Sequence, residues 1–210
     1  DGVEEWRLDS LFRNDARNRN ILLERQIDGT VVLYMTKDGP FRLDLENGEV
    51  VWRTEDWDED PPDRGKARMV VNGELIFVPN GRNVDALRLE DGSLVWQTAE
   101  RFDAEPVDMF MVPNGLFVRS RHFDVLAPNT GASVWTRRAG RFDESAPMQL
   151  DEGIVYVAAE EEFSSVDLTT GAVTALAEYD FEGEQPTEIE PGDGSLLLMS
   201  RQNLLRITFD

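Results

Sequence analysis

Two turn signals recur along this chain at nearly constant spacing, and together they restrict it to an architecture assembled from one repeated unit. The first is a small or acidic residue, then glycine, then a run of strand-forming apolar residues. It occurs at Asp28-Gly29, Asn72-Gly73, Asn114-Gly115, Glu152-Gly153 and Asp193-Gly194, followed by VVLYM, LIFV, LFV, IVYV and LLLM. Asn-Gly and Asp-Gly favour the positive φ of tight hairpins, so each reads as a turn between two strands. The second signal is a glycine four residues before a tryptophan, at Gly48 and Trp52, Gly92 and Trp96, Gly131 and Trp135. Gly171 has the same context but places Ala175 at the tryptophan position. Each of these glycines follows a turn-forming residue (Asn47, Asp91, Thr130, Thr170), which makes a second hairpin per unit.

One unit therefore holds four short antiparallel strands, with turns after the first and the third. Such units at intervals of ~40–45 residues are the sequence signature of propeller blades. The termini extend the pattern. Gly2 also lies four residues before a tryptophan, Trp6, while the C-terminal LLLMSRQNLLRITFD supplies strands without a glycine-to-tryptophan strand. Joined end to start, LRITFD and DGVEEW read like LRLEDGSLVW at residues 87–96. The expectation is a single all-β domain over 1–210, a closed propeller of five four-stranded blades. The blades span 21–55, 66–99, 108–138, 145–178 and 186–210, the last completed by residues 3–9. Closure removes an exposed sheet edge, which otherwise invites aggregation. A fragment of a larger ring of seven or eight blades is the competing reading.

The second signal resembles the pyrroloquinoline-quinone-like (quinoprotein-type) repeat, whose motif runs Ala-x-Asp-x-x-Thr-Gly-x-x-x-Trp. The units here are LDLENGEVVW (43–52), LRLEDGSLVW (87–96), LAPNTGASVW (126–135) and VDLTTGAVTA (166–175). The motif's Asp stands at Asp44 and Asp167 but is replaced by Arg88 and Ala127; Thr-Gly is kept at Thr130-Gly131 and Thr170-Gly171; the Ala is kept at Ala86 alone. The resemblance implies that Trp6, Trp52, Trp96 and Trp135 dock each blade on its neighbour, and a tryptophan can bury ~200 Å² in such a seam. The family holds quinone-dependent dehydrogenases and non-catalytic, BamB-like propellers. The dehydrogenases have eight blades, about three times this length, and often adjacent cysteines. This chain has no cysteine and about five blades, so the resemblance implies the non-catalytic branch and no cofactor.

Composition narrows the function further. Hydrophobic residues make up 40% of the chain, enough for a sizeable core, and no stretch approaches the ~18–20 apolar residues of a membrane span. Asp and Glu number 42 against 21 Lys and Arg, for a net charge of −21. That charge opposes binding to phosphate backbones and to anionic membrane surfaces. Lys37 and Lys66 are the only lysines, a bias that fits either a salt-rich habitat or Arg-rich coding. Without cysteine there are no disulfides, thiolate nucleophiles or Cys-ligated metals.

Catalytic motifs are sparse. His122 is the single histidine, with Asp124 two residues on and so on the same face of a strand; metal sites and proton relays generally need more. No Gly-x-Ser-x-Gly elbow and no phosphate-cradling glycine loop occurs. The acidic runs at Asp56, Asp58, Glu59, Asp60 and at Glu160–Glu162 do not fit a calcium loop. A buried carboxylate pair of the glycosidase kind would need two acids facing one pocket.

One further recurrence concerns recognition. Five to seven residues after each tryptophan position comes an aromatic framed by charge: Phe12, Trp57, Phe102, Phe142 and Phe181. All five fall in the connection from one blade to the next, and therefore on one end of the ring. They either seal the seams between blades or form a rim of aromatics and acids that binds a partner. The expectation is a non-catalytic, protein-binding scaffold of undetermined oligomeric state, and the family resemblance implies a place outside the cytoplasm. The alternatives are a carbohydrate-active enzyme with channel carboxylates and a small-ligand sensor domain.

Overall fold

The computed structural model describes residues 21–27, 30–35, 39–54, 67–100, 102–137, 146–158, 162–181, 184–192 and 195–208. All regular structure among them is β. The strands are β1 (Ile21–Ile27), β2 (Thr30–Met35), β3 (Gly39–Asp44), β4 (Val50–Arg53), β5 (Val70–Asn72), β6 (Leu75–Asn80) and β7 (Asn83–Arg88). They continue with β8 (Leu94–Gln97), β9 (Asp108–Val112), β10 (Gly115–Arg119), β11 (Phe123–Leu126), β12 (Ser133–Arg137) and β13 (Met148–Asp151). The last six are β14 (Ile154–Ala158), β15 (Glu162–Asp167), β16 (Val173–Glu178), β17 (Glu188–Gly192), β18 (Ser195–Met199) and β19 (Leu204–Thr208). They form five antiparallel meanders in chain order, four of four strands and a last one of three, β17-β18-β19.

The chain divides into two compact units, one of residues 1–109 with 129–131, the other of 110–128 with 132–210. In each, apolar side chains pack between consecutive sheets. In the first unit Trp52 joins Met69, Ile76, Val78 and Leu87. In the second, Trp135 joins Phe117, Phe123, Val155, Val166 and Leu168, and a further cluster gathers Phe163, Tyr179, Phe181, Ile189, Leu198 and Ile207. Full burial of one such Leu or Phe is worth ~1.5–3 kcal/mol, so these seams carry much of the stabilisation. β6 and β7 are covered on both faces and buried at most positions. The outer strands β4, β8 and β12 bury only the tryptophan.

The turn that the glycine-to-tryptophan signal predicts has one recurring construction. Gly48, Gly92, Gly131 and Gly171 all have φ between 68° and 74°. The amide of Gly48 donates to Asp44 O (2.9 Å), that of Gly92 to Arg88 O (2.9 Å) and that of Gly171 to Asp167 O (2.7 Å). The motif's Asp braces this turn from its side chain. Asp44 Oδ1 accepts from Glu46 N, and Asp167 Oδ1 accepts from both Thr169 N and Thr170 N. Where Arg88 replaces it, Asp91 takes over and accepts from Ser93 N and Ser93 Oγ.

A bulge accompanies each of the three described tryptophans. Trp52 pairs with Arg42, Trp96 with Ala86 and Trp135 with Val125, and the register shifts just past each pair. The extra residues are Val51, Val95 and Val134, each at least 39% exposed. The bulge leaves the valine outside and turns the indole inward. In the fourth sheet Ala175 pairs with Ser164, and the shift instead lies between Phe163 and Ser164.

Candidate functional site

The indoles are the best-defined group. Trp52 is 7% exposed, and its Nε1 donates to Leu89 O of the following sheet at 2.8 Å. Its ring lies over Gly92, where a Cβ would stand 2.5 Å from Trp52 Cε3. Trp96 sits in the same way over Gly131, and Trp135 over Gly171. Trp135 Nε1 also donates to Leu168 O, at 3.3 Å. At Gly92, Gly131 and Gly171 the glycine thus receives the tryptophan of the repeat before it. Ala175 is exposed, and at that seam Tyr179 and Phe181 meet instead, ring centroids 5.1 Å apart. Burial pushes the Tyr179 phenol up to about 12. Trp6 lies outside the described residues.

Of the five loop aromatics, Phe102 and Phe181 fall within the described residues; Phe12, Trp57, Phe142 and the acidic run 56–60 do not. Phe102 is half-buried beside exposed Asp103, and its amide donates to Arg82 O at 2.8 Å, which pins the loop to the β6–β7 hairpin. Phe181 is 7% exposed and packs among Ile189, Leu196 and Ile207. The loop after it is held by Glu184, whose Oε2 accepts from Ser200 Oγ (2.6 Å) and Asn203 Nδ2 (3.2 Å). Among the described residues, Phe102 and Glu184 are therefore fastened to neighbouring hairpins.

On β7 lies a buried polar group that the turn pattern does not signal. Asp85 is 4% exposed; its Oδ2 accepts from Asn80 Nδ2 and its Oδ1 from Gln97 Nε2, both at 2.8 Å. Burial raises this carboxyl above its ordinary value, and the two amide bonds oppose the rise. Asp124 holds the corresponding place in β11, 6% exposed, and accepts from Thr136 Oγ1. Counted back from the turn glycine, the matching positions in the first and fourth sheets are Phe41 and Ser164, both buried. Both oxygens of Asp85 are occupied by carboxamide donors, an arrangement that ties β7 to β8 and to the end of β6. His122 is half-buried with its amide on Ser120 Oγ at 3.3 Å. Among the described residues no three His, Cys, Asp or Glu side chains are grouped as metal ligands.

The first unit also contains a cleft of about 270 Å³, lined by Arg42, Gly73, Glu74, Arg88, Leu89 and Glu90. Arg42 Nη1 donates to Leu89 O at 3.0 Å, on the same carbonyl as the Trp52 indole.

A family model described as outer membrane protein assembly factor BamB, of the PQQ-like repeat type, matches residues 1–108, just over half of the chain. The chain belongs to that family. Among solved structures it is similar to BamB from Moraxella catarrhalis, at 18% identity and a TM-score of 0.62, over 86% of this chain and 55% of that one. It is similar also to the computationally designed Ika8 protein (12% identity, TM-score 0.64, 88% of this chain and 57% of that one). The designed Ika4 protein is matched at 11% identity and a TM-score of 0.55, over 78% of this chain and 99% of that one. At these identities the likeness is one of fold, and the fold of this BamB-family chain is all-β, of antiparallel propeller blades. The chain spans a little over half the length of the first two of these structures. No curated protein matches its sequence.

Proposed function

We propose that this BamB-family chain is a non-catalytic scaffold that binds another protein outside the cytoplasm. A protein-binding scaffold is the kind of module that a BamB-like propeller fold supports. The family description, an outer membrane protein assembly factor, supports both the extracytoplasmic place and a role in assembly rather than catalysis. The observation that carries the reading is the fastening of described residues in two inter-blade connections, Phe102 to Arg82, and Glu184 and Thr187 to Ser200 and Met199. Loops held in one conformation lose little entropy when a partner is bound.

The recognition surface in this reading is the end of the sheets that carries Phe102 and, by sequence, Trp57, Phe12 and Phe142. An aromatic set among acids suits a partner with an apolar anchor and a basic surround, since the chain's net charge of −21 steers cations toward it. Closure of the fifth sheet by residues 3–9 belongs to the same proposal, and its support is the match of LRITFD–DGVEEW to residues 87–96.

The test is the double substitution Trp57→Ala and Phe102→Ala, with partner affinity and unfolding free energy measured side by side. The reading expects at least about a tenfold loss of affinity, the range of one interface anchor. Unchanged affinity together with a loss of stability would reassign these aromatics to the seams and overturn the rim.

A further inference from the structure

The chain contains four Asn-Gly pairs, Asn47-Gly48, Asn72-Gly73, Asn80-Gly81 and Asn114-Gly115, and the structure treats them differently. Asn-Gly is the dipeptide whose side-chain carboxamide is most open to attack by the following backbone nitrogen, because glycine places no Cβ in the way. Attack requires that nitrogen to be unengaged and the carboxamide to swing toward it.

At Asn47 neither condition holds. The Gly48 amide donates to Asp44 O at 2.9 Å, Asn47 Oδ1 accepts from Glu49 N at 2.7 Å, and Gly48 is buried. At Asn80 the side chain is buried and its carboxamide nitrogen donates to Asp85 Oδ2 at 2.8 Å. At Asn114 the carboxamide nitrogen donates to Thr169 O at 2.7 Å, and Gly115 is buried so tightly that a Cβ would strike Leu126 O. Asn72 and Gly73 are both exposed, and nothing lies within 4 Å of the place a Gly73 Cβ would take. Asn72 pairs with Leu75 to close a two-residue turn. The hydrogen bonds of such a turn run between its end residues, which leaves the Gly73 amide pointing outward.

We propose that Asn72 is a site of spontaneous deamidation and isoaspartate formation in the folded protein. The Gly73 nitrogen bonds to Asn72 Cγ, the carboxamide C–N bond breaks, and ammonia departs with the proton that the Gly73 nitrogen gives up. Water then opens the resulting succinimide at either carbonyl, leaving an aspartyl or an isoaspartyl residue. The product carries one more negative charge beside the cleft that Gly73 and Glu74 line with Arg42 and Arg88. The isoaspartyl form also lengthens the backbone of the turn.

The experiment incubates the intact chain at mildly alkaline pH and physiological temperature, then follows each pair by peptide mapping and by isoaspartyl methyltransferase labelling. Asn72 should be modified at least about fivefold faster than Asn47, Asn80 or Asn114, the factor that one net hydrogen bond supplies. In urea the four rates should converge, because only the fold distinguishes them. The Asn72→Gln variant should remove the fast component and leave the slow ones. Equal rates in the folded chain would overturn the proposal. So would a preference for Asn72 that persists unchanged in urea.

Discussion

The indole of Trp52 lies over Gly92 so closely that a Cβ on the glycine would stand 2.5 Å from its Cε3. Gly92 therefore has two reasons to be glycine, its φ of 72° and the ring above it. Gly73 has only the first, with φ 59° and open space around it. Gly73→Ala should cost ~1–2 kcal/mol from backbone strain alone. Gly92→Ala adds a displaced tryptophan, a further ~1–3 kcal/mol of the overpacking kind. Urea unfolding of the two variants measures the difference, and equal losses would show that the ring contact contributes nothing.

Trp52 itself contributes packing and a hydrogen bond. Trp52→Ala should destabilise by ~3–5 kcal/mol through the cavity left against Met69, Ile76 and Leu87. Trp52→Phe keeps much of the packing but removes the donor to Leu89 O, for about 1–3 kcal/mol. If the phenylalanine variant unfolds at the same denaturant concentration as the parent, the indole N–H carries no share of the seam.

Acid and base limbs of the stability profile should trace different aspartates. Burial raises Asp85, so the folded chain holds that proton more tightly than the unfolded one. This contribution is complete below the ordinary carboxylate range and is lost as pH rises through the raised value. Asp85→Asn should flatten this limb and leave neutral-pH stability equal or higher, with Gln97 turning its oxygen toward the new amide. Asp85→Ala strands two carboxamides and should cost ~1–3 kcal/mol. Unfolding curves across pH, compared between the two variants, decide it; an unchanged slope in Asp85→Asn would remove Asp85 as its source.

Asp91 and Asp167 work in the other direction. The Ser93 hydroxyl bond to Asp91 and the Thr170 amide bond to Asp167 hold both carboxyls below the usual range. Their contribution is present above the ordinary carboxylate value and is lost as pH falls through the depressed ones. Asp167→Asn should therefore lower stability at neutral pH more than in acid. NMR titration of the two side-chain carboxyls reads the displacement directly.

Phe102 and Phe181 occupy equivalent places in the sequence but should behave differently. Phe181→Ala opens a cavity among Ile189, Leu196 and Ile207 and should cost ~3–5 kcal/mol while leaving partner affinity unchanged. Phe102→Ala, half-buried beside Asp103, should cost less stability and more affinity. The opposite assignment of effects would place the recognition surface elsewhere.

The hairpins were legible in the sequence because the residues that make them act locally: a glycine at positive φ, an Asp that caps its own turn, a tryptophan four residues on. The seam pairing follows from the same motif, since the ring and the glycine that receives it are parts of one repeat. Asp85 was not legible. Alternation marks polar residues as solvent-facing only where one face of a strand is wet, and β7 is covered on both faces. Ala175 announced a missing tryptophan, yet not the shifted bulge or the filling of that seam by Tyr179 and Phe181, which depend on contacts with the next sheet. The recurrence of charge-framed aromatics signalled the loops but could not separate Phe181, which the fifth sheet buries, from Phe102.

The most direct test of the scaffold reading is affinity capture with the intact chain from an envelope extract of its source organism, washed at low and then high salt, with mass spectrometry of what remains. With a net charge of −21, adventitious basic proteins should leave as the Debye length shrinks to a few Å. The account predicts one or a few proteins retained at high salt and released by Trp57→Ala with Phe102→Ala. A bait that holds nothing at high salt, or holds the same proteins after both substitutions, would contradict it.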